Sequence, residues 1–292
     1  MKMKQIAPSE LIINNDGSIF HLHLKPENIA DTILLVGDPG RVKTVSDNFD
    51  KVEFSIQNRE FLTHTGTFNG KRISVISTGI GTDNIDIVVN ELDALVNIDM
   101  ESRTIKDNHT ALTLVRLGTS GGLQEEIPVD SFLISKTACG FDGLLNFYRD
   151  RNNVCLTEIE EAFKKHVSWS PLLTSPYFVN GCNDIFEKLG EGMFSGITIS
   201  APGFYGPQGR VLRLPIVDMD INDKITDFNF QGQKITNYEM ECSAIYGLSK
   251  LLGHHAATCC VIIANRKKKE FSKDYKPHMK NLIRLTLERL TS

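Results

Sequence analysis

Short apolar runs that end in glycine-bearing turns, each followed by a helical pattern, recur along this chain. They constrain its fold more than any other feature. "DTILLVGDPGRV", Asp31 to Val42, is one such unit: a buried strand, a tight Asp-Pro-Gly turn and a helix start. "VEFSIQ" alternates as a strand does, and "FLTHTGTFNGKRISVISTGIG" predicts two strands joined at Asn69-Gly70, the strongest short-range hairpin signal. "DNIDIVVNELDALV" has helical spacing, "ALTLVRLG" and "DSFLISKTAC" are strands, and Leu156 to Val167 is helical. "PYFVNG" and "SGITISA" add strands, and "EMECSAIYGLSKLLG" is an amphipathic helix with Gly253 as its C-cap. "AATCCVIIANR" is a last buried strand before the closing helix "MKNLIRLTLERL".

Strands alternating with helices predict an α/β protein, and the hairpin makes its central sheet mixed. No repeat, low-complexity tract or linker divides the chain, so residues 1–292 read as a single domain. Residues 1–18 form an N-terminal extension and the polar stretch 99–110 a surface insertion.

The bulk numbers remove whole classes of function. A net charge of −4 gives no basis for nucleic acid or an anionic membrane as a partner. The N-terminus has no long apolar region, so it is not a secretory signal, and no apolar run approaches a membrane span. Cys139, Cys155, Cys182, Cys242, Cys259 and Cys260 show neither Cys-x-x-Cys nor zinc spacing. Most sit in apolar runs and read as reduced thiols, which fits a cytoplasmic protein. The adjacent pairs His254-His255 and Cys259-Cys260 cannot easily converge on one tetrahedral metal.

Three strand ends carry groups suited to an anion. "VGDPGRV" sets Arg41 near a helix N-terminus, "STGIGTDN" supplies glycines and a threonine, and "RLGTSGG" places Arg116 before a Gly-Thr-Ser-Gly-Gly loop. Open α/β sheets bind ligands beyond the carboxyl ends of their strands, so such loops converge. None matches a dinucleotide fingerprint or P-loop. "GFYGPQGR" offers an aromatic face, an amide and a guanidinium, which complement the carbonyls and N–H of a pyrimidine edge. "YEMECSA" puts Glu239 and Glu241 on either side of Met240 at a helix start, where carboxylates suit the dipole or could bind sugar hydroxyls.

"GDPGRV", "REF", "STGIGT", "RLGTSGG", "FYGPQGR", "YEMECSA" and "IIANR" occur in an order that resembles the uridine phosphorylases of the nucleoside phosphorylase superfamily. The resemblance runs from about His21 to the C-terminus and is weakest between Arg149 and Phe194. It implies a three-layer domain with a central mixed sheet flanked by helices. It also implies reversible phosphorolysis of uridine to uracil and ribose 1-phosphate.

On that resemblance, Gly37, Arg41, Arg116 and Thr119 bind phosphate, joined by Arg59 from a neighbouring subunit. Glu239, Met240 and Glu241 hold the ribose, and His21 reaches its 5′-hydroxyl from the neighbour. Gln208 and Arg210 read the uracil edge beside Phe204, with Arg266 supporting the pocket; Arg116, Gln208 and Arg210 carry the catalysis. Inorganic phosphate is a co-substrate and no other cofactor is implied. Relatives bind a monovalent cation such as K+ through a glutamate, here Glu60, and a serine, here Asn84, a departure that counts against the ion. Cys242 replaces a serine of the signature helix with little expected change. The implied assembly is a homodimer at minimum, with a hexamer as a trimer of dimers left open.

The nearest alternatives are a purine nucleoside phosphorylase and a hydrolytic nucleosidase of the same fold. Purine-directed relatives carry Ser-Asp where this chain reads Ala264-Asn265, and a hydrolase has no use for the phosphate arginines. A nucleoside-binding protein without catalysis is the alternative of a different class.

Overall fold

The computed structural model describes residues 5–292. Strand β1 (Thr32–Val36) leads into helix α1 (Pro39–Ser46), and β2 (Lys51–Asn58), β3 (Phe61–Phe68) and β4 (Lys71–Ser77) form an antiparallel meander. Helix α2 (Thr82–Asn97) is followed by the short strands β5 (Ile98–Asp99) and β6 (Thr104–Ile105), then β7 (Thr113–Gly122) and β8 (Phe132–Gly140). Next come α3 (Thr157–Val167), β9 (Tyr177–Asn180), α4 (Asn183–Gly190), β10 (Phe194–Ser200) and α5 (Ile221–Asp227). The chain ends with β11 (Asn229–Phe230), β12 (Gln233–Glu239), α6 (Cys242–Leu252), β13 (His255–Asn265), β14 (Glu270–Phe271) and α7 (Lys276–Thr291).

The local signals explain several boundaries. Asn69 and Gly70 both take positive φ, 49° and 71°, as a type I′ hairpin turn needs. Asp38 caps α1 by accepting from Gly40 N, with Pro39 at the first helical position, a cap worth about 1 kcal/mol. Gly253 ends α6 in the left-handed conformation at φ 79°.

The mixed sheet runs β11-β12-β10-β8-β13-β7-β1-β4-β3-β2. In β1, Ile33 and Leu35 pack with Ile85, Val88 and Leu92 of α2 and Ile245 of α6. Leu34 and Val36 face the other way, toward Val42 of α1 and Leu282 and Ile283 of α7. This strand is apolar on both faces because helices cover both, and the three-layer arrangement follows. Truncating a fully buried side chain such as Leu34 to alanine costs roughly 2–5 kcal/mol.

The sheet is not simply open. Strand β12 pairs with β7 as well as with β10, so β12, β10, β8, β13 and β7 close into a ring. The stretch "GTSGG", expected as a loop, is the last part of β7. It pairs in parallel with β13, from Gly118 opposite Cys260 to Gly122 opposite Asn265. It also pairs with β12, Tyr238 opposite Gly121 and Asn237 opposite Gly122. Its small residues let the strand bend between two neighbours.

Residues 99–110 are pinned by the β5–β6 pair and by Arg103, which receives Ile6 N–H at its carbonyl. Leu11, near the start of the described residues, is buried in the core. Helices α4 and α5 and strand β12 were not apparent in the sequence.

Candidate active site

Beyond the bent end of β7 lies a cavity of about 600 Å³. Gly37, Arg41, Arg116, Thr119, Phe204, Gln208, Arg210, Glu239, Met240, Glu241 and Arg266 all line it, so the structure brings together most of the residues singled out above.

Arg116 forms the floor. It is buried, its Nε lies 3.3 Å from Glu239 Oε2, and one terminal nitrogen bonds Glu241 Oε2. The other terminal nitrogen, Nη1, is buried with no partner. A buried N–H of a guanidinium left unpaired is costly, and an anion's oxygen would satisfy it. Gly118, two residues on and on the same face of the strand, makes the room: a Cβ there would lie 3.2 Å from the Arg116 guanidinium. Burial lowers the Arg116 pKa, but Glu241 and Glu239 more than offset this and the net shift is upward. Arg41 donates to the Leu117 carbonyl at 3.2 Å. Burial first, and then the charge of Arg116, lower its pKa, so the two cations stand ready for a shared anion.

The two glutamates are not equivalent. Glu239 ends β12, and its oxygens accept from Ser200 Oγ at 2.5 Å, Glu241 N at 2.8 Å and Cys242 N at 2.9 Å. Burial, and then repulsion from Glu241, push its pKa up to about 7 against the pull of Arg116. It works as an internal brace joining β12, α6 and Arg116. Glu241, beside Met240, accepts from Gly81 N at 2.8 Å and from Arg116, and its oxygens retain lone pairs for sugar hydroxyls. The threonine-and-glycine turn "STGIGT" therefore serves as the anchor of Glu241.

At the other end, Arg210 bonds the side-chain oxygen of Gln208 and lies over the Phe204 ring, its Cζ 3.8 Å from the centroid. That face of Phe204 is thus occupied by a guanidinium. Burial, then the neighbouring Arg266, bring the Arg210 pKa down to about 10. Arg266 bonds the Gln208 carbonyl and so ties the loop to the end of β13. Asn265 is buried and its amide is fully engaged: Nδ2 donates to the carbonyls of Gln124 (2.9 Å) and Ile127 (2.8 Å), and Oδ1 accepts Lys268 N.

His21 and Arg59 do not line this cavity. Arg59 is exposed, at φ 53° on the turn between β2 and β3. His21 borders a separate hollow of about 270 Å³. The two share a face, because Asn58 next to Arg59 donates to the His21 carbonyl at 2.8 Å. Asn84 and Glu60 also meet: Asn84 Nδ2 lies 3.3 Å from Glu60 Oε1.

Asp93, His109 and His254 have donor atoms within 4.8 Å of one another. The Leu112 N–H fills His254 Nδ1, so the neutral ring carries its proton on Nε2, which lies 3.2 Å from Asp93. With Nδ1 already engaged by a backbone N–H, only Nε2 remains, and it makes no hydrogen bond to Asp93 despite the short separation. His255 points elsewhere, to Cys182 Sγ at 3.6 Å.

This sheet and this cavity are those of a nucleoside-type phosphorylase, and the chain belongs to the phosphorylase superfamily, whose pattern it matches over residues 31–290. Among similar proteins, the uridine phosphorylase of Thermococcus kodakarensis is 29% identical over 93% of this chain and 86% of its own. A DeoD-type purine nucleoside phosphorylase of Bacillus cereus is 30% identical over 76% of this chain and 92% of its own. The crystal structure of a Trypanosoma brucei nucleoside phosphorylase, described as showing uridine phosphorylase activity, superposes with a TM-score of 0.87 at 31% identity. It spans 96% of this chain and 99% of that one. Among the described residues, no helix is long and apolar enough to cross a membrane.

Proposed function

We propose that this chain is a uridine phosphorylase, which converts uridine and phosphate reversibly to uracil and ribose 1-phosphate. One observation carries the reading: Arg116, whose buried Nη1 has no partner, lines the same cavity as Gln208 and Arg210. Met240 and Glu241, assigned to the ribose, line the same cavity.

Phosphate carries about −1.5 to −2 charges near neutral pH. Arg41, Arg116 and Thr119 hold it with one oxygen toward the sugar C1′. As the C1′–N1 bond lengthens, positive charge grows on the ribose and is stabilised by that oxygen, which then forms the new C1′–O bond. The electron pair leaves with uracil, and the Gln208 amide and Arg210 donate to the uracil oxygens as they gain charge; solvent protonates the base. Positioning and preorganised charge supply the acceleration, and no side-chain nucleophile is required.

Identity alone does not separate pyrimidine from purine use, since relatives of both kinds lie near 30%. Asn265 supports the pyrimidine reading. It stands where protonation of a purine N7 would need an acid, and its amide is consumed by backbone bonds.

The shared face of His21 and Arg59 supports a homodimer in which each subunit lends both residues to its neighbour's site, His21 reaching the ribose 5′-hydroxyl. The reading includes no bound cation. Asn84 turns an amide hydrogen toward Glu60, where an ion would need an oxygen ligand. Pyrimidine nucleoside salvage in the cytoplasm is the setting this chemistry and the six free thiols suit. A panel of uridine, thymidine, inosine and adenosine, each with and without phosphate and with products identified, tests the assignment. Cleavage of inosine in preference to uridine, or of uridine without phosphate, would overturn it.

A further inference from the structure

His21 is held far more firmly than a partly exposed histidine near a terminus requires. Glu91, on α2 and seventy positions away in sequence, gathers three donors at once, two from His21 and one from Leu22. Its Oε1 takes His21 Nδ1 at 2.6 Å and His21 N at 3.0 Å, and its Oε2 takes Leu22 N at 2.8 Å. From the opposite side Asn58 Nδ2 bonds the His21 carbonyl, and the Phe20 ring packs edge-on against the imidazole with centroids 4.8 Å apart. Glu91 itself is largely buried, with 13% of its side chain exposed.

A carboxylate has no hydrogen to give, so the proton between it and His21 Nδ1 belongs to the imidazole. In the neutral ring Nε2 then carries the lone pair, and the ring cannot rotate without breaking the Glu91 bond. We propose that Glu91 is a positioning residue for substrate selection. It fixes the tautomer and direction of His21 so that Nε2 accepts a hydrogen bond from the ribose 5′-hydroxyl in the neighbouring subunit's site. The inference rests on the reading of His21 given above. Glu91 never touches substrate, and its effect passes wholly through His21.

The 5′-hydroxyl can be removed from the substrate as well as from the protein's reach, which isolates the contact. Uridine and 5′-deoxyuridine are compared by kcat/KM at saturating phosphate in the wild type, His21→Ala, Glu91→Ala and Glu91→Gln. The wild type should favour uridine, and His21→Ala should erase that preference. Glu91→Ala should lower kcat/KM for uridine about tenfold, mostly through KM, and leave 5′-deoxyuridine unchanged. Glu91→Gln keeps one acceptor oxygen but turns an NH2 toward a backbone donor, so its loss should be smaller. Turnover of 5′-deoxyuridine in each variant reports that the protein is folded and assembled.

Equal loss on both substrates in Glu91→Ala and Glu91→Gln would mean a merely structural role and overturn the proposal. So would an unchanged preference in both variants while His21→Ala erases it, and then only Glu91 is wrong. A preference that survives His21→Ala, or is absent from the wild type, overturns the reading of His21 and this proposal together.

Discussion

Arg116 binds Glu241 through one end of its guanidinium and leaves the other end buried and unpaired. On the proposed reading the same residue fixes the carboxylate assigned to the sugar and offers its free end to the phosphate, so one side chain relates the two sites. Replacing Arg116 by alanine removes a charge-assisted bond worth about 1.5–3 kcal/mol and frees two carboxylates from their countercharge. Uridine cleavage should fall at least tenfold, and in the wild type it should vanish from phosphate-free buffer. Steady-state assays across a phosphate titration check both. Undiminished cleavage without phosphate would point to hydrolysis.

Base choice should depend on Gln208. A site with buried polar groups rejects a ligand that leaves them unpaired. Gln208→Ala should therefore lower uridine turnover by about tenfold or more with little change in melting temperature. A variant that keeps full uridine turnover would remove Gln208 from the base site.

Asn265→Asp is a sharper test, because it inserts the very acid a purine site would use. In this chain it should fail. The aspartate loses two donors and sets a carboxylate against the carbonyls of Gln124 and Ile127. We expect a loss of roughly 1–3 kcal/mol or more in stability and no gain of inosine cleavage. Calorimetry and an inosine assay check it; a stable variant that cleaves inosine would show that the pocket is already built for purines.

Mixed dimers test the shared site. Arg59→Ala and Arg116→Ala are each expected to be inactive. In a mixed dimer one site has its own Arg116 and a borrowed Arg59, while the other lacks both. Random pairing makes half the dimers mixed, so about one quarter of all sites should recover after the variants are unfolded and refolded together. A mixture that shows only the average of its parents, with mixed dimers confirmed by mass, would place each site within one chain.

What the sequence conveys well here is local chemistry. The Asn69-Gly70 turn and the Asp-Pro-Gly turn before α1 follow from neighbours in the chain, and the structure holds them where expected. The chemistry of "RLGTSGG" was legible as an anion site, but its glycines disguised a strand. What makes it one is pairing with β13 and β12, segments more than a hundred positions away. Strand β12, with Thr236, Asn237 and Glu239 buried, lacks the apolar alternation that marks a strand, because polar oxygens of Asn237 and Glu239 find distant partners in Thr198 and Ser200. Glu91 carried no signal at all. On a helix of ordinary spacing it reads as one more solvated acid, and only the chain returning past α2 gives it its three donors.

The bend of β7 has a consequence for how such an enzyme can change over time. Because that strand is hydrogen-bonded to neighbours on both sides, Arg116 and Thr119, the groups proposed to hold phosphate, sit on a stiff frame that tolerates little revision. The groups proposed to face the base sit on the loop from Gly203 to Arg210, tied down by Arg266 and Asn222. On the proposed reading, reaction and selectivity are largely housed in separate parts: a lineage can tune its contacts to the nucleobase by rewriting loop positions, whereas a change from pyrimidine to purine must also reach Asn265 on the frame itself.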